Sequence, residues 1–128
     1  MVAEETARST VAAYFAAMGA LDPDRMAGVF AANGVLDYPG RPAMHGQAAV
    51  REFYQGVLGA VTTARVVALA VFPADRGAAV QWQLEFTGKN GRTVRFDGIN
   101  VYDINEQGEV ERLRVYYDAS VLAPLLQA

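Results

Sequence analysis

The sequence predicts an α+β fold, with helices packed on one face of a curved antiparallel sheet that encloses an apolar, cone-shaped interior. Two observations predict it. Up to about residue 60, apolar side chains recur at three- and four-residue spacing. From about residue 62 they recur every second residue, in segments divided by turn sequences. A chain of 128 residues suffices for one domain with a sizeable core, so a single domain over 1–128 is expected.

Val11, Tyr14, Phe15 and Met18 fall at i, i+3, i+4 and i+7, which places them on one face of a first helix that should stop near Gly19. "LDPDRMAGVF" starts a second helix, with Asp22 as N-cap, Pro23 at the first helical position and Asp24 in the first turn. Met26, Val29 and Phe30 form its apolar stripe, and Asn33-Gly34 is expected to end it. "VLDY" reads as a short strand. "GQAAVREFYQGVL" is a third helix, with Val50, Phe53, Tyr54, Val57 and Leu58 on one side.

The clearest strand is "AAVQWQLEF", where Val80, Trp82, Leu84 and Phe86 alternate with Gln81, Gln83 and Glu85. "GKNGR" is a hairpin turn centred on Asn90-Gly91. "TVRFDGINVYDI" follows, then a turn at "NEQG", then "EVERLRVYYD". The closing "ASVLAPLLQA" reads as a short apolar helix or a tail.

Composition removes several classes of function. The chain is 52% apolar and 20% charged, as in a soluble globular protein, and its net charge of −3 includes no basic block. A nucleic-acid partner is therefore not expected. No apolar run has membrane-spanning length, and "MVAEETARST" is acidic where a signal peptide is basic, so a cytoplasmic protein without a membrane partner is expected. Cysteine is absent, which excludes disulfides and thiol chemistry. With a single histidine a zinc site is not expected either, nor any cofactor.

The order of elements resembles the ketosteroid isomerase and SnoaL-like branches of the NTF2-like superfamily over nearly the whole chain. "VAAYFAAM" resembles the first isomerase helix with its tyrosine, and "GQAAVREFYQ" resembles the third. "AAVQWQLEF" and the "GINVYDI…GEV" hairpin fit the same template, while "VYYDASVLAPLLQ" is closer to the SnoaL-type ending. The resemblance implies a cone-shaped α+β barrel of the NTF2-like (cystatin-like) kind and a homodimer through the convex side of the sheet. It also implies an apolar small-molecule ligand, steroid- or polyketide-like.

In the isomerase chemistry a carboxylate base moves a proton α to a carbonyl, while a tyrosine and a protonated aspartic acid donate hydrogen bonds to the enolate oxygen. The oxyanion tyrosine matches Tyr14, supported by Tyr54; otherwise both are core residues whose hydroxyls find some other partner. The protonated-aspartate position falls at Asn100, whose amide can donate without any pKa adjustment, or can simply pair with backbone. The base position falls at Tyr38, because strand alternation turns Leu36 and Tyr38 inward and Asp37 outward. Asp37 could serve only after a one-residue register slip that would expose Leu36.

Two other residues could carry the proton. Asp118 matches the late-strand acid of SnoaL-type cyclases, unless it caps the terminal helix. His45 could titrate near neutral pH at the pocket rim, unless it is merely solvated. Phe30, Tyr38, Tyr54, Trp82, Leu84, Phe86, Tyr102 and Tyr117 are the expected ligand-binding walls. Arg112 and Arg114 alternate onto the convex side.

Two functions follow. One is a proton-transfer enzyme, an isomerase or cyclase acting on an apolar carbonyl-bearing ligand, with Tyr14, Asn100, Asp118 and His45 as its catalytic candidates. The other is a non-catalytic ligand-binding or assembly module. Epoxide opening ranks below both, since it needs two inward carboxylates and only Asp37 and Asp118 are available.

Overall fold

The computed structural model describes residues 1–126. Helices α1 (Glu4–Gly19), α2 (Pro23–Gly28) and α3 (Gln47–Gly59) combine with strands β1 (Phe30–Asp37), β2 (Met44–His45), β3 (Val61–Ala74), β4 (Gly77–Gly88), β5 (Thr93–Ile104) and β6 (Val110–Tyr116). The strands form one sheet in the order β2-β1-β6-β5-β4-β3, in which only β1 and β6 run parallel. The sheet is curved and stays open, and the helices pack against it. A 3-10 helix over Ala119–Leu126 takes up most of the expected apolar ending; residues 127–128 of that ending lie outside the described residues.

Local chemistry explains the helices. The Asp22 carboxylate accepts a 3.1 Å hydrogen bond from the Arg25 N–H, and Pro23 follows it, so α2 begins as its sequence predicts. Its end differs from the expectation. The helix stops at Gly28, and Phe30 already pairs in the sheet, opposite Val110. Asn33-Gly34, which reads as a helix stop, lies inside β1 at a register irregularity between Phe30 and Val35.

The backbone there leaves no room for a side chain. A Cβ on Gly34 would lie 2.8 Å from the Val110 carbonyl oxygen and 3.0 Å from that of Ala31. Glycine in a strand marks this kind of close approach, and pairing with β6 overrides the helical spacing of Met26, Val29 and Phe30.

Alternation on the long strands holds as the sequence predicts. Val80, Trp82, Leu84 and Phe86 are buried, as are Asn100, Tyr102 and Ile104 on β5 and Leu113 and Val115 on β6. β4 and β5 pair without interruption from Thr87 opposite Thr93 to Gly77 opposite Asp103. Gly98 permits one contact in this pairing: a Cβ there would sit 2.2 Å from Cζ2 of Trp82. The indole therefore lies across a strand position that only glycine leaves open. The Thr10 hydroxyl, 2.8 Å from the Gly108 carbonyl oxygen, ties α1 to the β5–β6 turn.

Candidate functional site

Two cavities meet at a pair of tyrosines. The outer cleft, of about 610 Å³, lies between the inner side of α3, the loop after β1 and the 3-10 helix, with Phe53, Val57, Phe86, Leu122 and Leu125 among its walls. The inner chamber is bounded by Tyr14, Trp82, Leu84 and Asn100. It holds only about 20 Å³, room for about one water. Tyr38 and Tyr117 line both spaces.

The two hydroxyls at this neck are joined, Tyr117 donating to Tyr38 at 2.6 Å. The Tyr38 ring packs on Phe53 with centroids 4.5 Å apart, which fixes it against α3. Behind the neck, the hydroxyls of Tyr14 and Tyr54 are hydrogen-bonded to each other, as the resemblance leads one to expect. The Asn100 amide is held on both sides. Its Oδ1 accepts from Trp82 Nε1 at 2.9 Å, and its Nδ2 donates to the Tyr102 hydroxyl at 3.0 Å. One amide N–H remains for the chamber.

Burial dominates the electrostatics of this assembly. It raises the pKa of Tyr14, Tyr38, Tyr54 and Tyr102 well above the ordinary phenol range, because a phenolate would lose its hydration there. For Tyr14 and Tyr38 the neighbouring phenols push further in the same direction. For Tyr102 the hydrogen bond from Asn100 works against burial. Tyr117 is also raised by burial. All five are neutral hydroxyls near pH 7. As neutral phenols they are hydrogen-bonding groups and not bases, and of the five only Tyr14, Tyr38 and Tyr117 line a cavity.

The acidic residues and the histidine expected from the sequence lie elsewhere. Leu36 is fully buried and Asp37 turns to the other face of the sheet, where Arg112 Nε donates to it at 2.6 Å. The adjacent Asp37 carboxylate raises the Arg112 pKa still further. Asp37 borders an outer depression with Arg114 and Tyr116, to which Tyr38 and Tyr117 also contribute. Asp118 is exposed and accepts from the Ser120 N–H at 3.0 Å and from its hydroxyl at 2.7 Å. Those two bonds hold its carboxyl below the usual range. This is the helix-start geometry, and Asp118 lines neither cavity. His45 is exposed on β2 and lines neither cavity.

Among the expected walls, Trp82 and Leu84 line the chamber, Phe86 lines the cleft, and Tyr38 and Tyr117 line both. Tyr54 and Tyr102 stand one layer behind, as hydrogen-bond partners of Tyr14 and Asn100. Phe30 belongs to the core, because β1 begins there and carries it away from the cavities. Sequence reasoning missed Arg41 and Glu52, the charged side chains that line the cleft. The "YPGR" turn could have pointed to Arg41. Glu52 gives no signal, since it sits one residue off the apolar face of α3.

Residues 11–113 match the family described as the SnoaL-like domain. The chain belongs to the SnoaL-like family. Compared by sequence with curated proteins, it matches none. Among solved structures, this SnoaL-like protein is similar to the epoxide hydrolase/cyclase-like enzyme SalBIII of pyran ring formation in the polyether salinomycin. The two are 22% identical with a TM-score of 0.81, over 94% of this chain and 96% of that one.

It is also similar to a putative polyketide cyclase from Xanthomonas campestris pv. campestris, at 21% identity and a TM-score of 0.82 over 96% and 98% of the two chains. A third is a Δ5-3-ketosteroid isomerase from Mycobacterium sp., at 21% identity and a TM-score of 0.78 over 91% and 95%. At these identities the likeness shows a common fold, on which different chemistries are hosted.

Proposed function

We propose that this SnoaL-like protein binds an apolar, oxygen-bearing small molecule, steroid- or polyketide-like, in the outer cleft, with the ligand oxygen directed at the Tyr38–Tyr117 pair. What carries this is the cleft itself: about 610 Å³ of largely apolar wall ending on two neutral hydroxyls. That is the size and character of a small-molecule site. Tyr38 accepts from Tyr117 and keeps its own proton to donate. Among the described residues, no carboxylate or imidazole lines the inner chamber, so a base for proton transfer would have to come from the outer cleft. Titration with equilenin, a fused-ring phenol, tests the proposal. Saturable binding that is lost in Val57→Trp, which fills the cleft, is expected; failure of every fused-ring phenol and ketone to bind would refute it.

A second function, proton transfer as an isomerase or cyclase, is favoured by the hydrogen-bonded Tyr14–Tyr54 pair, the donor arrangement that such chemistry uses. Tyr14 and Asn100 would then act as oxyanion donors once Tyr38 and Tyr117 move aside. Glu52, the carboxylate at the cleft, replaces Asp118 and His45 as the proton carrier. Turnover of a 5-ene-3-one that disappears in Glu52→Gln is the outcome that would establish it.

A homodimer through the outer face of the sheet accompanies either function. Val67 and Phe72 on β3, Ile99 on β5 and Tyr116 on β6 project there, 54%, 58%, 41% and 54% exposed. Sedimentation of Ile99→Glu as a monomer against a dimeric parent is expected.

A further inference from the structure

The cleft walls are apolar, yet one cation is built into the mouth. The residues Tyr38-Pro39-Gly40-Arg41 form a tight turn in which the Arg41 N–H donates to the Tyr38 carbonyl at 3.2 Å. Pro39 occupies its second position and Gly40, at φ +76°, its third. This is the residue pattern of a type II turn, which needs glycine at the left-handed position. The turn therefore fixes Arg41 relative to Tyr38, one of the two hydroxyls at the neck.

The guanidinium carbon of Arg41 sits 5.0 Å from the centre of the Phe53 ring, and Phe53 is itself a cleft wall. Contact with the ring orients the guanidinium without using up its N–H donors on an anionic partner. Six of the other arginines face a carboxylate within 4.0 Å. Among the described residues, Arg41 faces none at that distance.

We propose that the cleft selects an amphipathic anion: a fused-ring or aryl body against Phe53, Val57 and Leu122, with a carboxylate or sulfonate on the Arg41 guanidinium. This rests on the outer cleft being the ligand site and adds the ligand's charge. Glu52 opens onto the same cleft and opposes the anion. Its own charge is thus a second handle on the selectivity, with the opposite sign to that of Arg41.

Two fluorescent probes that share a ring system and differ in charge test the proposal: 1-anilinonaphthalene-8-sulfonate and neutral N-phenyl-1-naphthylamine. Arg41→Gln should weaken binding of the sulfonate by about five- to tenfold, the effect of losing one partly exposed charge-assisted contact. The neutral probe should change by no more than about twofold. Glu52→Gln should tighten the sulfonate and leave the neutral probe alone. Equal changes for both probes, or none, in Arg41→Gln would overturn the anion selectivity while the cleft stands. If Val57→Trp leaves both probes bound as before, the cleft is not their site, and both proposals fall.

Discussion

Tyr117 donates a 2.6 Å hydrogen bond to the Tyr38 hydroxyl, and their rings meet edge to face with centroids 5.5 Å apart. The contact closes the neck between cleft and chamber, so a ligand in the cleft reaches the Tyr38–Tyr117 pair before Tyr14 or Asn100. Tyr117→Phe removes the donor and leaves Tyr38 free to hydrogen-bond a ligand oxygen or water. Tyr38→Phe removes the hydroxyl that donates to the ligand. Equilenin affinity should therefore fall by about 1 to 2 kcal/mol in Tyr38→Phe and change less in Tyr117→Phe. Equal losses would place the ligand oxygen on both hydroxyls, and no loss in either would remove it from the neck.

Behind the neck, Tyr14 and Tyr54 satisfy each other's hydroxyls in a fully buried setting. Either single change to phenylalanine leaves the partner without its bond and should cost about 1 to 3 kcal/mol of stability in urea unfolding. The double variant removes both polar groups at once and should cost clearly less than the sum of the two. Additive losses would mean that the two hydroxyls are not coupled in solution.

Most of the fold was legible because periodicity reports which face of an element is buried. The alternation of Val80, Trp82, Leu84 and Phe86 and the Asp22-Pro23 helix start both appear where the sequence puts them. What was not legible depends on chain segments distant in sequence. Asn33-Gly34 reads locally as a helix stop, but its conformation is set by the approach of Val110 from the last strand. The outward turn of Asp37 follows from alternation alone, whereas its pairing with Arg112 requires knowing that β1 lies beside β6. Arg41 and Glu52 come together at the cleft only through the loop after β1 and α3, so their proximity is not visible in sequence even though the "YPGR" turn marks Arg41.

The buried phenols predict alkaline instability. Tyr14, Tyr38, Tyr54, Tyr102 and Tyr117 all have folded pKa values raised above the unfolded phenol value of about 10. Below that value both states are protonated and the full stability is present. Above it the unfolded chain loses protons that the folded chain keeps, so stability falls as pH rises, by up to about 1.4 kcal/mol per pH unit for each such group. Tyrosinate absorbance of these five should appear together with loss of tertiary circular dichroism, in one cooperative step above about pH 10. Ionisation of these five in a still-folded protein, beyond the one exposed phenol of Tyr116, would contradict their burial.

Tyr38→Asp asks whether the donor half of the isomerase arrangement is competent. The substitution puts a carboxylate at the inward position next to Pro39, beside the chamber that holds Tyr14 and Asn100. It also deletes an aromatic ring from a chamber that now holds about one water, which makes space for a ligand to approach Tyr14. Burial will raise the pKa of the new carboxyl, so its activity as a base should increase with pH until it ionises. The expected outcome is a gain of 5-ene-3-one isomerisation that is lost again when Tyr14→Phe is added. The Asp37→Asn variant of the same protein should retain that gain, since Asp37 faces Arg112 on the other side of the sheet. A folded Tyr38→Asp protein that binds equilenin yet shows no isomerisation would mean that Tyr14 and Asn100 do not converge on a bound oxygen. The Tyr14–Tyr54 pair would then be part of the core rather than of a site.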